Sequence, residues 1–357
     1  MHQTVPVAVQ PRRHTTIIGG LFGLECGRTP SGPIPQFLTG REIFLVNARC
    51  GIWLIVNALR PSRVWIPSYL CRTIIGAIDP TVTDVRFYEI DYDLNVRSNT
   101  LESEVTSGDL VFFIDYFGFP FDRQLGTYVK SKGAWVLEDA CQALLSSHVG
   151  GLSDYVLFSV RKWIGVPDGG ILRVHDSHPL IDHPLGSPPS LWWLKALQAS
   201  LLRREFDEGL PGNDWFKLFR EAEDTAPTGP YTMSHLSRAV IEYSVDYSVI
   251  TQRRRDNYQS LLEKLAPYAV YPHLEPGVVP LGFPVRVANR NEVRERLFNQ
   301  SMYPPVHWLI EGVIPSQFKD SHRLSRDIMT LPCDQRYGPE DMERMAEAFL
   351  QKALAIT

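Results

Sequence analysis

The sequence predicts an α/β fold: a mostly parallel sheet between helices, followed by a smaller α+β C-terminal domain. Three observations carry this. Short apolar runs alternate with helical stretches through the first half of the chain, the arrangement that lays parallel strands side by side. Two of those runs end in polar or charged residues, as strands do at the ligand-binding edge of such sheets. The texture changes after about residue 175, where His- and Pro-rich sequence gives way to long helical patterns.

The elements follow in order. Residues 1–40, rich in Pro, Gly and Thr, read as an irregular arm. Ile52, Ile55, Val56 and Leu59 recur at helical spacing within 49–59. Val64-Trp65-Ile66 is a buried strand ended by Pro67, and Thr73–Ile78 a helix stopped by Asp79-Pro80. Strands follow at 85–90, 110–115, 134–137 (running into Glu138-Asp139), 155–159 and 170–174. Residues 175–190 are a linker and 191–208 an amphipathic helix. Residues 209–232 read as loop, and 233–265 as one long helix whose Arg253-Arg254-Arg255 form a solvated face. Trp192-Trp193 read as core or interface residues. A strand at 281–287 and helices at 292–299 and 339–354 complete the chain. The expected domains are 41–230, with 178–228 as an unusual helical and loop insertion, and 231–357.

Composition bounds the function. The chain has 357 residues and a formal net charge of −4, too little positive charge for non-specific nucleic-acid binding. No apolar run is long enough to span a bilayer, and no signal peptide is recognised at the N-terminus. The five cysteines, Cys26, Cys50, Cys71, Cys141 and Cys333, are odd in number and widely spaced. They predict neither a disulfide framework nor a metal site, and they fit a cytoplasmic compartment.

Two strand ends carry chemistry. One is Glu138-Asp139-Ala140-Cys141-Gln142; the other is Ser159-Val160-Arg161-Lys162, followed by Asp168-Gly169-Gly170. A lysine there is expected to be poorly solvated, with a lowered pKa that makes it a nucleophile for carbonyls. A lysine and an acid at neighbouring strand ends are what pyridoxal phosphate needs. The lysine holds its aldehyde as a Schiff base, and the carboxylate keeps its pyridine nitrogen protonated. Ser159, and the N–H groups of the Asn47-Ala48-Arg49 turn before a helix, can take the phosphate. Arg49 and Arg161 can help to neutralise it. Tyr69 or Cys71 can lie against the ring. His307, Tyr116 and Arg161 are candidate substrate contacts. Cys50, Cys71 and Cys141 all fall beside these turns.

At these residues the sequence resembles the DegT/DnrJ-type sugar aminotransferases of the fold type I pyridoxal-phosphate enzymes. Leu137-Glu138-Asp139-Ala140-Cys141-Gln142-Ala143 is very similar to that family's Glu-Asp-Ala-x-Gln-Ala signature. Ile66-Pro67-Ser68-Tyr69, Ile114-Asp115-Tyr116-Phe117-Gly118, Val306-His307-Trp308 and Leu331-Pro332 resemble further family segments. The resemblance implies that Asp139 meets the pyridine nitrogen, Gln142 lies near the ring hydroxyl and Lys162 is catalytic. It also implies a homodimer and a keto-sugar acceptor. Two features depart from the pattern. Ser159 and Lys162 are two residues closer than is usual in the family, and Pro230 stands where an asparagine reaches the partner subunit's phosphate.

The leading expectation is therefore an aminotransferase that passes an amino group from a donor such as glutamate to a keto-sugar or related small keto substrate. Another pyridoxal-phosphate reaction on a small amino compound (decarboxylation, replacement or condensation) stays open. So does a catalytically silent ligand-binding homologue.

Overall fold

The computed structural model describes residues 17–25, 34–179 and 181–354. Cys26 and much of the expected arm lie outside them.

Seven strands form the central sheet: β1 (Arg41–Leu45), β2 (Arg63–Pro67), β3 (Asp84–Tyr88), β4 (Leu110–Ile114), β5 (Trp135–Asp139), β6 (Tyr155–Ser159) and β7 (Gly170–Val174). Their order across the sheet is β1-β7-β6-β5-β4-β2-β3. Strands β2 to β6 pair in parallel with one another. Strand β7 runs antiparallel to both of its neighbours. Every residue of β4 and β6 is buried. Helices covering both faces explain why these strands are continuous apolar runs and not alternating ones. Edge strand β1 is only half-buried, so its Arg-Glu-Ile-Phe-Leu gave no continuous apolar run and was not anticipated.

Helix α1 (Ala48–Leu59) crosses this sheet and buries Ile52, Leu54, Ile55 and Val56. Each such side chain contributes about 1.5–3 kcal/mol when fully removed from water. Its N-cap is Asn47, whose side chain accepts the Cys50 N–H at 3.1 Å. Two glycines let the layers meet. A Cβ on Gly51 would stand 2.4 Å from Leu157 Cδ2, and one on Gly170 would stand 2.2 Å from the Asn47 carbonyl carbon. Helix α2 (Arg123–Ser131) packs against β5.

Several expectations need correction beyond this point. The expected helix at Thr73–Ile78 shrinks to one turn, Arg72–Ile75. The 178–228 segment is a helical hairpin, α3 (Ser190–Asp207) and α4 (Asp214–Asp224). Residues 209–232 are therefore not loop throughout: Gly and Pro at both ends of that stretch hid the eleven-residue α4 between them. Trp192 and Trp193 do pack inward, their indole N–H groups donating to the Ala222 carbonyl (2.8 Å) and to Asp168 (3.2 Å).

The long helix is two helices, α5 (His235–Tyr243) and α6 (Tyr247–Leu265). Ser234 and Asp246 cap them with side-chain oxygens, so the break follows from N-cap chemistry inside a continuous hydrophobic pattern. Arg254 is fully buried rather than solvated. It donates to Gln335 and to the carbonyls of Pro280 and Leu281, and its guanidinium lies 4.3 Å from the Trp163 ring centroid.

The C-terminal part holds a second, two-stranded antiparallel sheet, β8 (Phe283–Arg286) with β9 (Ile328–Leu331). Around it stand α7 (Arg290–Asn299), α8 (Lys319–Asp327) and α9 (Pro339–Leu350). Among the described residues no helix is long and apolar enough to cross a membrane, and no cluster of His, Cys, Asp and Glu is suited to a metal.

Candidate active site

Successive strand residues point to opposite faces. On β5 this separates Glu138 from Asp139. Glu138 is fully buried and accepts from Arg123 (2.9 Å), Ser153 Oγ (2.5 Å) and the Gly150 N–H (2.9 Å). Burial, and then the neighbouring Asp115, push its carboxyl up to about 7. Asp115 is itself pushed up to about 6 by burial. Asp139 takes the other face, where its Oδ1 accepts the Cys141 N–H at 3.0 Å.

Strand β6 ends at Ser159, which is buried and whose hydroxyl does not cap the turn that follows. One 3₁₀ turn, Val160–Lys162, then delivers the lysine. Solvent reaches the Lys162 side chain, yet protein surrounds it closely enough that burial is the largest single influence on its ammonium. That influence lowers the pKa, but Cys141, Asp139 and Cys71 together outweigh it and set the pKa above the ordinary lysine value. The expected lowering is thus corrected: a carboxylate and two sulfurs offset desolvation.

The lysine turn is held from the C-terminal side. Gln335 donates to the Trp163 carbonyl at 2.6 Å, the Trp163 indole N–H donates to the Cys141 carbonyl at 3.2 Å, and Arg254 stacks on the same indole. Neither Gln335 nor Trp163 stood out in the sequence, because neither lies in a recognisable pattern.

Gln142 is buried. Its Oε1 accepts the Phe117 N–H at 2.7 Å, while its Nε2 has no partner. An orphaned buried amide donor is costly unless a ligand takes it up. At the N-terminus of α1, Asn47 Nδ2 donates to the Pro227 carbonyl at 2.8 Å, which ties the end of the insertion to this turn. Ala48 and Arg49 stand half-buried in the first helical turn, where backbone N–H groups lack intrahelical acceptors. Burial, and then the nearby Arg161, pull the Arg49 guanidinium down.

Tyr69 and Cys71 are distinguished. Tyr69 is fully buried; its hydroxyl donates to the His307 carbonyl and accepts the Trp308 N–H at 2.8 Å. Its ring packs on Tyr116 (5.9 Å) and Trp308 (5.5 Å). Tyr116 is committed in turn, donating to the Tyr69 carbonyl. Cys71 is partly exposed, its Sγ 3.1 Å from Thr73 Oγ1. His307 is bonded to Thr330 Oγ1 at 2.9 Å; burial, and then the charge of Lys162, pull its pKa down to about 3. His307 is therefore a neutral neighbour of the lysine. Arg161 is ion-paired with Glu223 of α4 at 2.6 Å.

A cleft of about 810 Å³ adjoins this group. Arg49, the Arg72–Thr73 turn, and Arg220 and Glu223 of α4 line it. The sequence did not single out Arg72, Arg220 or Glu223; only the folding of the insertion brings α4 to the cleft.

No family model matches the chain, and no curated protein matches it. Solved structures do. DesV from S. venezuelae, in complex with a ketimine intermediate, is similar over 92% of this chain and 91% of its own, with a TM-score of 0.66 at 17% identity. A DegT DnrJ EryC1 StrS aminotransferase from Brucella abortus is similar over 87% of this chain and 85% of its own (TM-score 0.60, 13% identity). NtdA from Bacillus subtilis, with bound cofactor PMP, is similar over 90% of this chain and 77% of its own (TM-score 0.63, 15% identity). At these identities the likeness establishes the fold, and the chain has the fold of these aminotransferases.

Proposed function

We propose that the protein is a pyridoxal-phosphate-dependent aminotransferase. It would take an amino group from a donor, glutamate first among them, and pass it to a keto-sugar or related small keto substrate. The observation that carries this is the charge contact between Lys162 and Asp139 at the ends of two adjacent parallel strands, with the buried Gln142 Nε2 left unpartnered three residues after Asp139. The donor set fits the cofactor part by part. Lys162 would take its aldehyde, Asp139 its pyridine nitrogen and Gln142 Nε2 its ring oxygen. The Ser159 hydroxyl, the Ala48–Arg49 turn and Arg161 would take its phosphate. Cys71, partly exposed, would be the neighbour for the ring face, since Tyr69 is buried and hydrogen-bonded to His307 and Trp308.

When bound, pyridoxal phosphate supplies an electron sink that stabilises negative charge at the substrate carbon. The chain supplies the rest. Asp139 keeps the pyridine nitrogen protonated. Lys162 Nζ takes a proton from the donor Cα and acts as general base and acid. His307, neutral and bonded to Thr330, walls the lysine without competing for its proton. Arg49, Arg72 and Arg220 outnumber Glu223 and Asp224 in the cleft lining and would favour an anionic substrate group. Residues 41–230 would be the cofactor-binding unit and 231–357 the smaller domain. The family resemblance supports a homodimer, and the free thiols of Cys50, Cys71, Cys141 and Cys333 are in keeping with the cytoplasm.

The test is a half-reaction. Cofactor-loaded protein mixed with glutamate, without acceptor, should release about one equivalent of 2-oxoglutarate per site. Protein that holds the cofactor yet releases no oxo acid from any common amino donor would contradict transamination.

A further inference from the structure

The 178–228 insertion places a carboxylate inside the cationic group assigned above to the cofactor phosphate. Glu223 lies in the last turn of α4, and its Oε1 meets Arg161 NH1 at 2.6 Å. The same carboxylate lines the cleft with Arg49. It is about one-third exposed, open to that cleft, whereas Arg161 is 16% exposed. The guanidinium is not saturated, since its Nε is buried without a partner. Glu223 is also held in place. The carbonyl of adjacent Ala222 accepts the Trp192 indole N–H, Lys195 pairs with Glu221 at 2.9 Å, and the following Pro227 carbonyl is fixed by Asn47. Arg161 raises the electrostatic cost of Arg49, and Glu223 stabilises the charge of both guanidiniums.

A carboxylate and a phosphate compete for such a site. Both are anions that accept from guanidinium N–H groups, and two like charges a few ångströms apart in a partly buried site repel strongly. Resting on the cofactor reading above, we propose that Glu223 is an internal stand-in for the phosphate: it holds Arg161 and Arg49 in the cofactor-free protein and must yield them when the phosphate arrives. The insertion then tunes cofactor retention as well as shaping the cleft, and uptake is coupled to movement of α4.

The experiment compares wild type with Glu223→Gln after cofactor has been removed by dialysis against hydroxylamine. Three probes are titrated: inorganic phosphate by thermal shift, and pyridoxal phosphate and unphosphorylated pyridoxal by absorbance. Glu223→Gln should bind phosphate and pyridoxal phosphate about ten-fold more tightly, the scale of one partly screened like charge, with pyridoxal unchanged. Unchanged or weaker phosphate binding would overturn the proposal and make Glu223 an orienting partner that Arg161 needs. Glu223→Ala is the second variant, and the same direction is required of whichever variant folds. The phosphate arm stands apart from the cofactor reading. If no protein takes up pyridoxal phosphate but Glu223→Gln still gains phosphate affinity, the aminotransferase reading falls and the inference is overturned for the cofactor, leaving a site where Glu223 competes with inorganic phosphate. If pyridoxal phosphate binds equally to both proteins, only this inference falls.

Discussion

Asp139 and Glu138 are chain neighbours with opposite duties. Glu138 faces the Arg123 ion pair and holds the sheet to α2; Asp139 faces the lysine. Replacing them should therefore have different consequences. Asp139→Asn keeps the size and the hydrogen bond to Cys141 but removes the charge that, in the proposed function, keeps the pyridine nitrogen protonated. Its turnover should fall by at least about a hundred-fold, the scale for losing one preorganised electrostatic contact. Its thermal midpoint should stay within a few degrees of wild type. Steady-state kinetics and a melting curve check this, and a large loss of stability with retained turnover would reverse the assignment. The strand ends that carry Lys162, Asp139, Gln142 and Ser159 were legible in the sequence, because each is a short apolar run that stops at polar residues. Glu223, Arg72 and Arg220 were not. They reach the site across many intervening residues, and nothing local marks them. The different surroundings of Tyr69 and Cys71 were not legible either: both sit in the same loop, and only packing shows that Tyr69 is hydrogen-bonded to His307 and Trp308.

At the scale of elements, strands and helices with one strong period were legible, and breaks set by caps were not. Strands β6 and β7 fall at the expected residues, and α1 begins one residue earlier than its apolar spacing implied. The α5–α6 break was hidden because Asp246 sits in an otherwise helical pattern, and α4 because its flanks are rich in Gly and Pro. Asn47 links two elements, capping α1 and anchoring Pro227 after α4. Asn47→Ala should cost about 1 kcal/mol of stability, the usual cost of losing a helix N-cap, and should weaken phosphate binding by loosening the turn. Urea unfolding measures the first effect and phosphate titration the second. A variant as stable as wild type would show that the cap contributes nothing.

For the whole molecule, the buried Asp115–Glu138 pair sets a pH dependence. Glu138 titrates near 7 in the folded protein against an ordinary value of 4.5. The folded state therefore holds this proton more tightly than the unfolded chain. The resulting stability is fully present below about pH 4.5 and is lost as pH rises through about 7. Wild type should lose urea resistance between about pH 5 and 8, and Glu138→Gln, with no proton to lose, should lose distinctly less. Equal slopes would mean that the pair does not govern the dependence. The division into a seven-stranded sheet and a smaller C-terminal sheet followed from the alternation of strands and helices. The reversed direction of β7 did not, because a buried strand reads the same in either direction.

In the proposed function Lys162 holds the cofactor covalently. Protein loaded with pyridoxal phosphate, reduced with borohydride and digested should carry the pyridoxyl mass on the peptide containing Lys162, and Lys162→Ala should carry none. A label on another lysine, or none on loaded wild type, would contradict it.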